Sequence, residues 1–472
     1  MKTNFICAAA LSAVLLASGA AFAQGEGNLS TTQQAGTNNR VVATQVMGTA
    51  NVQSTVQEGD NNLVGIFQTG GVDNRATVTQ TGMANTTGVW QTLGQGNEAE
   101  VNQQGVGNTT WVEQYGGVAK GAVVSQDGNF NSVYINQPDG EGNTAEVSQS
   151  GNENGAFVQQ AGGQNNDANV TQNGDLNSVF LDQSPGVSNE ADIVQNGVEN
   201  YTFIGQYGGE DNDAEVSQNG NLNGASVGQY DGENNDADVV QEGEANYARI
   251  LQNGGESNDA DITQQISIEN EALIVQEGGL NNEAEINQLH DYNNAFITQL
   301  GGENNEAYIS QRGDYNNADV TQIGGVGNYT NLDQGGEGMM SEILQDGGQD
   351  NSVMVVQSGL GNYTHVEQIG GLANTAVVDQ TGGFGDGAVV TQNGGDNNIA
   401  TIDQDGYFST STIIQEMGSS NNAAISQYAA DSMADIYQTG VLNSASLTQS
   451  GELNNASISQ SGTGNSSVIN QQ

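Results

Sequence analysis

A seven-residue arm that opens with Asn and closes with Gln recurs from Asn28 to Gln471, and it constrains this chain more than any other feature. Residues 212–218 read NDAEVSQ, residues 223–229 read NGASVGQ, and residues 235–241 read NDADVVQ. Taking the closing Gln as marker gives 39 arms, spaced alternately by 11 and 12 residues, so the true period is 23 residues and two arms. Asn opens 34 of the arms; Lys120, Met339, Asp386, Ser409 and Ser432 open the others. Self-similarity at a fixed period of this size is the signature of a repeat architecture, in which each unit buries its apolar face only against its neighbours.

Each arm alternates strictly. Asn212, Ala214, Val216 and Gln218 fall on one side, and Asp213, Glu215 and Ser217 on the other. A period of two is that of a β-strand, whose successive side chains point to opposite faces. The Asn, Ala, Val or Ile, and Gln set is small and uniform, and it is predicted to face inward. The other set varies and carries charge, and it is predicted to face outward. Turns of four residues (NGNL after Gln218) alternate with turns of five (YGGED after Gln206), and both are rich in Gly, which supplies positive φ. Pro138 and Pro185 both lie in long turns, where no ladder amide is lost. The expected fold is therefore all-β: a β-solenoid of strand, short turn, strand and long turn. Its 19 to 20 rungs would stack about 4.8 Å apart. Two extra-long turns, at residues 265–269 and 381–385, are predicted to force local bulges, and after Gln427 every spacing is 11.

Buried amides need partners, because an unpaired one costs about 1–3 kcal/mol. Identical amides stacked rung on rung donate to one another, as in steric zippers. The predicted inward ladder includes Asn143, Gln149, Asn166, Gln172, Asn189, Gln195, Asn212, Gln218, Asn235 and Gln241.

Composition excludes several classes. Against 56 acids stand six bases, for a formal charge of -50. Such a surface repels nucleic acid and anionic membranes, since phosphate binding needs basic groups. Lys2, the apolar run 5–16 and Ala21-Phe22-Ala23 read as a signal peptide over residues 1–23, followed by a short lead, 24–27, and one repeat domain, 28–472. The apolar run is too short to span a bilayer, and no membrane insertion is expected after its removal. Cys7, the only cysteine, lies inside it, so the exported chain has no thiol.

The pattern N-x-A-x-V-x-Q-x-G-x-x-N, as in residues 143–154, resembles the curlin repeat of the bacterial curli amyloid subunits. The resemblance spans nearly all of residues 28–472. It implies a secreted structural subunit that leaves the periplasm through an outer-membrane pore and polymerises, with a nucleator subunit, into cross-β fibres of the biofilm matrix. It implies cell adhesion and no enzymatic activity.

Two outward columns stand out at 23-residue steps. One carries Trp111, Tyr134, Phe157, Phe180 and Phe203. Like-on-like stacking, lateral packing of two rods and a polysaccharide platform are its three readings. The other carries paired acids: Glu98 and Glu100, Glu190 and Asp192, Asp213 and Glu215, Asp236 and Asp238, Asp259 and Asp261, and Glu283 and Glu285. Carboxylates about 5 Å apart repel by roughly 1 kcal/mol per pair in water, before screening. Salt, partial protonation or bridging Ca²⁺ would relieve it. The nonapeptide of calcium β-rolls is absent, and no cofactor is implied. His290, in a turn, and His365, outward on a strand, suggest no catalytic partner, and the recurring carboxylates form no distinct acid–base pair in a cleft. A non-polymerising surface adhesin or Ca²⁺-dependent binding module is the rival reading. An ice-binding array is disfavoured, because outward position five is mixed: Thr79, Asn102, Ser125, Ser148, Thr171, Val194.

Overall fold

The computed structural model describes residues 18–472. Those residues form forty strands and no helix. Inter-residue contacts divide the chain into two compact units, Met1–Glu233 and Asn234–Gln472. Each is a parallel β-solenoid of two sheets.

In the first unit one sheet runs from Leu29–Ala35 through Val52–Asp60, Arg75–Met83 and Glu98–Val106 to Asp213–Asn221. The facing sheet runs from Ser18–Glu26 through Arg40–Thr49 and Leu63–Thr69 to Gly224–Tyr230. The second unit repeats the arrangement, from Asp236–Glu244 to Ser466–Gln471 in one sheet and from Tyr247–Asn253 to Asn455–Thr463 in the other. Parallel pairing requires a crossover. Here the intervening arm, lying in the opposite sheet, serves as that crossover, so each strand pairs with the one two places along.

The register follows the period. Val124 pairs with Val147 and Val147 with Val170, while the closing Gln126, Gln149 and Gln172 remain in line. The Asn, Ala, Val or Ile, and Gln positions are buried, and the alternate residues face out. Val and Ile suit such positions because β-branched side chains pack well on a pleated surface.

The short turns show why Gly is required. Gly128 and Gly151 occupy one column at φ 127° and 118°. A Cβ on Gly128 would lie 1.9 Å from the carbonyl oxygen of Gly151 in the adjacent rung. The residue before each Asn is also left-handed, but it need not be Gly: Phe130, Glu153 and Leu176 have φ of 58°, 57° and 61°. Each donates its N–H to the rung before it, Phe130 to Val106, Glu153 to Asn129 and Leu176 to Asn152, all at 2.9 Å. These bonds hold side chains in a region that non-glycine residues seldom occupy.

The two extra-long turns behave differently. A register shift between Gln241 and Gly243, opposite Gln264 and Ser267, takes up the extra residue with Ile266 at φ 51°. The bulge predicted at 381–385 is absent: Thr375–Gln380 stays in register with Ile399–Gln404, and Gly382, Gly383 and Gly385 absorb the residue at positive φ inside the turn. A further shift, which the spacing did not single out, lies between Glu416 and Ser419. There the 23-residue period gives way to 22.

The signal-peptide reading falls outside the described residues as far as residue 17. The backbone of Ser18–Glu26, which includes the lead residues 24–26, is a strand paired with Arg40–Thr49.

Candidate functional site

The inward amides form two kinds of ladder. Each Gln donates through Nε2 to Oε1 of the Gln one rung later: Gln149 to Gln172 at 2.7 Å, Gln172 to Gln195 and Gln195 to Gln218 at 2.9 Å. In the second unit Gln241 donates to Gln264 at 2.9 Å. The second N–H of the same group finds a carbonyl of the facing arm; Gln172 Nε2 donates to Gly155 O at 3.1 Å. That carbonyl determines which end of the amide is nitrogen, so the ladder has a direction. Among the described residues the Gln–Gln bonds run from the earlier rung to the later one, as from Gln34 to Gln57 and from Gln449 to Gln471.

The Asn ladder runs the same way by another route. Asn143 Oδ1 accepts the backbone N–H of Asn166, and Asn166 Oδ1 that of Asn189. Asn166 Nδ2 donates to the turn carbonyl of Gly186, and Asn189 Nδ2 to that of Gly208. Each Asn thus clamps the turn of the following rung. Asn212 and Asn235 are buried like the rest. Asp386 keeps the role with reversed polarity, its carboxylate accepting the N–H groups of Ser409 and Gly406 at 2.9 and 3.0 Å. Lys120, also buried, donates Nζ to Tyr115 O and Gln137 O at 2.7 and 2.6 Å. Loss of solvation lowers its pKa to about 8 against the opposing pull of Asp139.

Four members of the aromatic column stack. Ring centroids are 5.3 Å apart for Tyr134 and Phe157, 4.7 Å for Phe157 and Phe180, and 5.4 Å for Phe180 and Phe203, with planes within 19°. Trp111 is the register partner of Tyr134, but its ring stacks on Trp90 at 4.8 Å, and Trp90 on Phe67 at 5.7 Å. The column therefore turns diagonally toward two residues that a strict 23-residue step does not reach. The cause is Gly88, where a Cβ would lie 2.3 Å from both indoles. Gly65 and Gly88 floor an open groove of about 360 Å³, walled by Phe67, Trp90 and Trp111 and reached by Arg40.

The acidic residues also take their register positions. In the first unit Glu190 pairs with Asp213 and Asp192 with Glu215, while Glu98 stands beside Arg75 with 3.8 Å between charged atoms and Glu100 opposite Thr77. In the second, Asp236 and Asp238 pair with Asp259 and Asp261, and these with Glu283 and Glu285. Burial, then neighbouring Asp192 and Asp167, raises the pKa of Glu190. Burial, then Asp236 and Glu283, does the same for Asp259. Asp261 is pushed up to about 7, first by burial and then by Asp259 and Asp238. Tyr308 meets the column by donating to Glu283 at 2.7 Å, and its own pKa is raised by burial and by that bond. Among the described residues no three Asp, Glu, His or Cys side chains gather as a metal site would require.

A family model described as the curlin associated repeat matches residues 48–82, 71–105, 121–151, 140–174, 209–238, 232–265, 279–311, 293–324, 302–336, 348–382 and 443–472, together more than half of the chain. No curated protein matches it.

Proposed function

Because the chain belongs to the curlin associated repeat family, we propose that it is a structural subunit that is exported and self-assembles, end to end, into extracellular curli-like fibres for adhesion and biofilm. The directional Gln ladder carries this reading. The later end of the column faces onward with donors: Gln460 and Gln471 Nε2 make their facing-arm bonds to Ser444 O and Asn455 O and keep a second N–H for a further amide. At the other end Gln45 Oε1 is buried and unpaired. Donors at one end and acceptors at the other match head to tail and clash head to head. Such a contact does not close on itself, and it yields a filament.

Charge supports the same end-to-end contact. Residues 24–97 hold four acids and two bases, and residues 417–472 hold three acids and no base, whereas residues 98–416 hold 49 acids and three bases. The end segments repel little, and the acidic stretch between keeps chains apart sideways until salt, protons or divalent cations screen it. Cleavage after Ala23 by a signal peptidase, passage through an outer-membrane pore and a nucleator subunit complete the route.

The test is thioflavin T fluorescence of residues 24–472 diluted from denaturant, across a salt and Ca²⁺ series, followed by imaging and fibre diffraction. Lagged growth to unbranched fibrils with a 4.7–4.8 Å reflection is expected. A soluble β-rich chain that never seeds would reject the fibre. In that event the groove of Gly65 and Gly88 favours a second reading, a surface-binding module for matrix polysaccharide, because its three aromatic walls and Arg40 offer ring edges and one cation to a sugar chain.

A further inference from the structure

The chain has 14 tyrosines. Among the described residues three pairs of them stand ring to ring: Tyr207 with Tyr230, Tyr292 with Tyr315, and Tyr308 with Tyr329. The pairs differ in geometry and in what holds their hydroxyls. Tyr292 and Tyr315 are parallel to within 3°, with centroids 5.0 Å apart. Tyr207 and Tyr230 are 5.3 Å apart at 20°, and Tyr308 and Tyr329 are 5.8 Å apart at 50°. The Tyr207 hydroxyl donates to Asp182 at 3.2 Å and that of Tyr308 to Glu283 at 2.7 Å, while the Tyr329 hydroxyl accepts from Asn331 at 3.2 Å. Tyr292 and Tyr315 are exposed, at 38% and 59%, and among the described residues neither hydroxyl meets a carboxylate or an amide.

The parallel pair sits on short turns. Residues 289–292 read LHDY and residues 312–315 read RGDY, so the same Asp-Tyr step closes two successive short turns of the second unit. Both tyrosines are pinned at φ 58°. Two bonds fasten one turn to the other: the Tyr315 N–H donates to Asp291 O and the Asp291 N–H to Asp314 Oδ1, both at 3.1 Å. The backbone thus fixes the two residues one rung apart, while exposed side chains keep fast rotation about their own bonds. A small tilt and slide of the rings is all that separates their edges. In the other two pairs a hydroxyl has to leave its partner first. Cysteine cannot supply a covalent tie between these rungs, because the only one is Cys7, in the segment read as a signal peptide.

We propose that Tyr292 and Tyr315 are a modification site, coupled by one-electron oxidation into a dityrosine that staples two successive turns. The oxidant is hydrogen peroxide acting through a haem peroxidase. Each phenol gives up one electron and one proton and becomes a phenoxyl radical. The two radicals join through the ring carbons beside the C–O bonds. Each of these carbons then passes its hydrogen to its own oxygen, which restores the aromatic ring and the hydroxyl. The net change is one hydrogen lost from each ring, one C–C bond formed and one hydrogen peroxide reduced to two waters. Both rings belong to one chain, so the staple stands apart from the fibre reading.

The test treats the purified chain with peroxidase and hydrogen peroxide, reads dityrosine fluorescence, and maps linked peptides by mass spectrometry. The expected product joins the peptides of Tyr292 and Tyr315 at a mass two hydrogens below their sum. Tethered groups meet at an effective concentration of mM or more, so with the chain at about 1 μM, coupling within it should outrun coupling between chains by about a thousandfold. A mixture of ordinary and isotope-labelled chains should therefore give links between these two residues with matching label only. Tyr292→Phe keeps the stacked ring and the turn but removes the phenol. It should abolish the link and most of the dityrosine fluorescence, whereas Tyr207→Phe should leave both unchanged. Mixed-label links between Tyr292 and Tyr315, a link between Tyr207 and Tyr230 that forms as fast, or fluorescence that Tyr292→Phe does not lower would each overturn the staple.

Discussion

The aromatic column from Tyr134 to Phe203 and the acidic column from Asp236 to Glu285 obey the same register rule with opposite energetics. In both, a residue meets its own kind one rung away, since Phe157 pairs with Phe180 and Asp238 with Asp261. Rings at this spacing attract, and they stack within 4.7–5.4 Å. Carboxylates at this spacing repel, and burial together with repulsion holds the Asp261 pKa near 7. Exact repetition thus multiplies whatever sign the pair interaction has. The buried amides are a third case. Gln is donor and acceptor at once, so stacking satisfies both ends and gives the column a direction. An inward column can therefore tolerate indefinite repetition, whereas an acidic one has to be interrupted or neutralised.

The largest expected effect comes from breaking the amide column. Gln172→Leu leaves Gln149 Nε2 without its acceptor and Gln195 Oε1 without its donor, at buried positions. Two buried groups unsatisfied at about 1–3 kcal/mol each give roughly 2–6 kcal/mol. Hydrogen exchange of amides in Thr144–Asn152 and Glu190–Val198 should rise together. Unchanged protection would mean that the ladder contributes little and that the Val and Ile columns hold the rungs alone.

The sequence made this column legible because an inward position is uniform. The closing Gln repeats in all 39 arms and the opening Asn in 34 of them, and a period of two assigns their face. The departures came from geometry that no spacing encodes. Trp111 stacks on Trp90 because a glycine at position 88 leaves room beside the strand, which depends on a neighbouring column rather than on the 23-residue step. The left-handed residue before each Asn varies from Phe130 to Glu153 to Leu176, so composition hides a conformation that rung-to-rung hydrogen bonds impose. The shift between Glu416 and Ser419 could have been found, since it lies where the period shortens. The Gln45 acceptor required atomic positions, because the sequence alone does not set Ala23 opposite it.

The aromatic column should yield a middle effect. Phe180→Ala removes two stacked pairs, with Phe157 and with Phe203. At about 0.5–1.5 kcal/mol per pair the loss is roughly 1–3 kcal/mol beyond buried area. A double-mutant cycle of Phe157→Ala and Phe180→Ala, read from denaturation midpoints, isolates one pair. A coupling energy near zero would make the column a set of independent surface groups, available for lateral contact instead.

The smallest single-site effect is expected at Asp261 in mild acid, where a proton already relieves the repulsion; it grows as pH rises. The folded-state pKa of Asp261, about 7, stands above its ordinary value of 3.8. Between those limits the folded chain binds more protons than the unfolded chain, so stability falls as pH rises. Below about pH 4 the side chain is protonated in both states and costs nothing; above about pH 7 the whole penalty is present. Asp261→Asn keeps the shape and removes the charge, so it should raise the denaturation midpoint at pH 8, leave it unchanged at pH 4, and flatten the slope between. Equal slopes for the parent and Asp261→Asn would place the pH dependence on other acids. A midpoint lowered at pH 8 would show that the carboxylate serves as an acceptor its neighbours need, and the two columns would then differ in chemistry but not in sign.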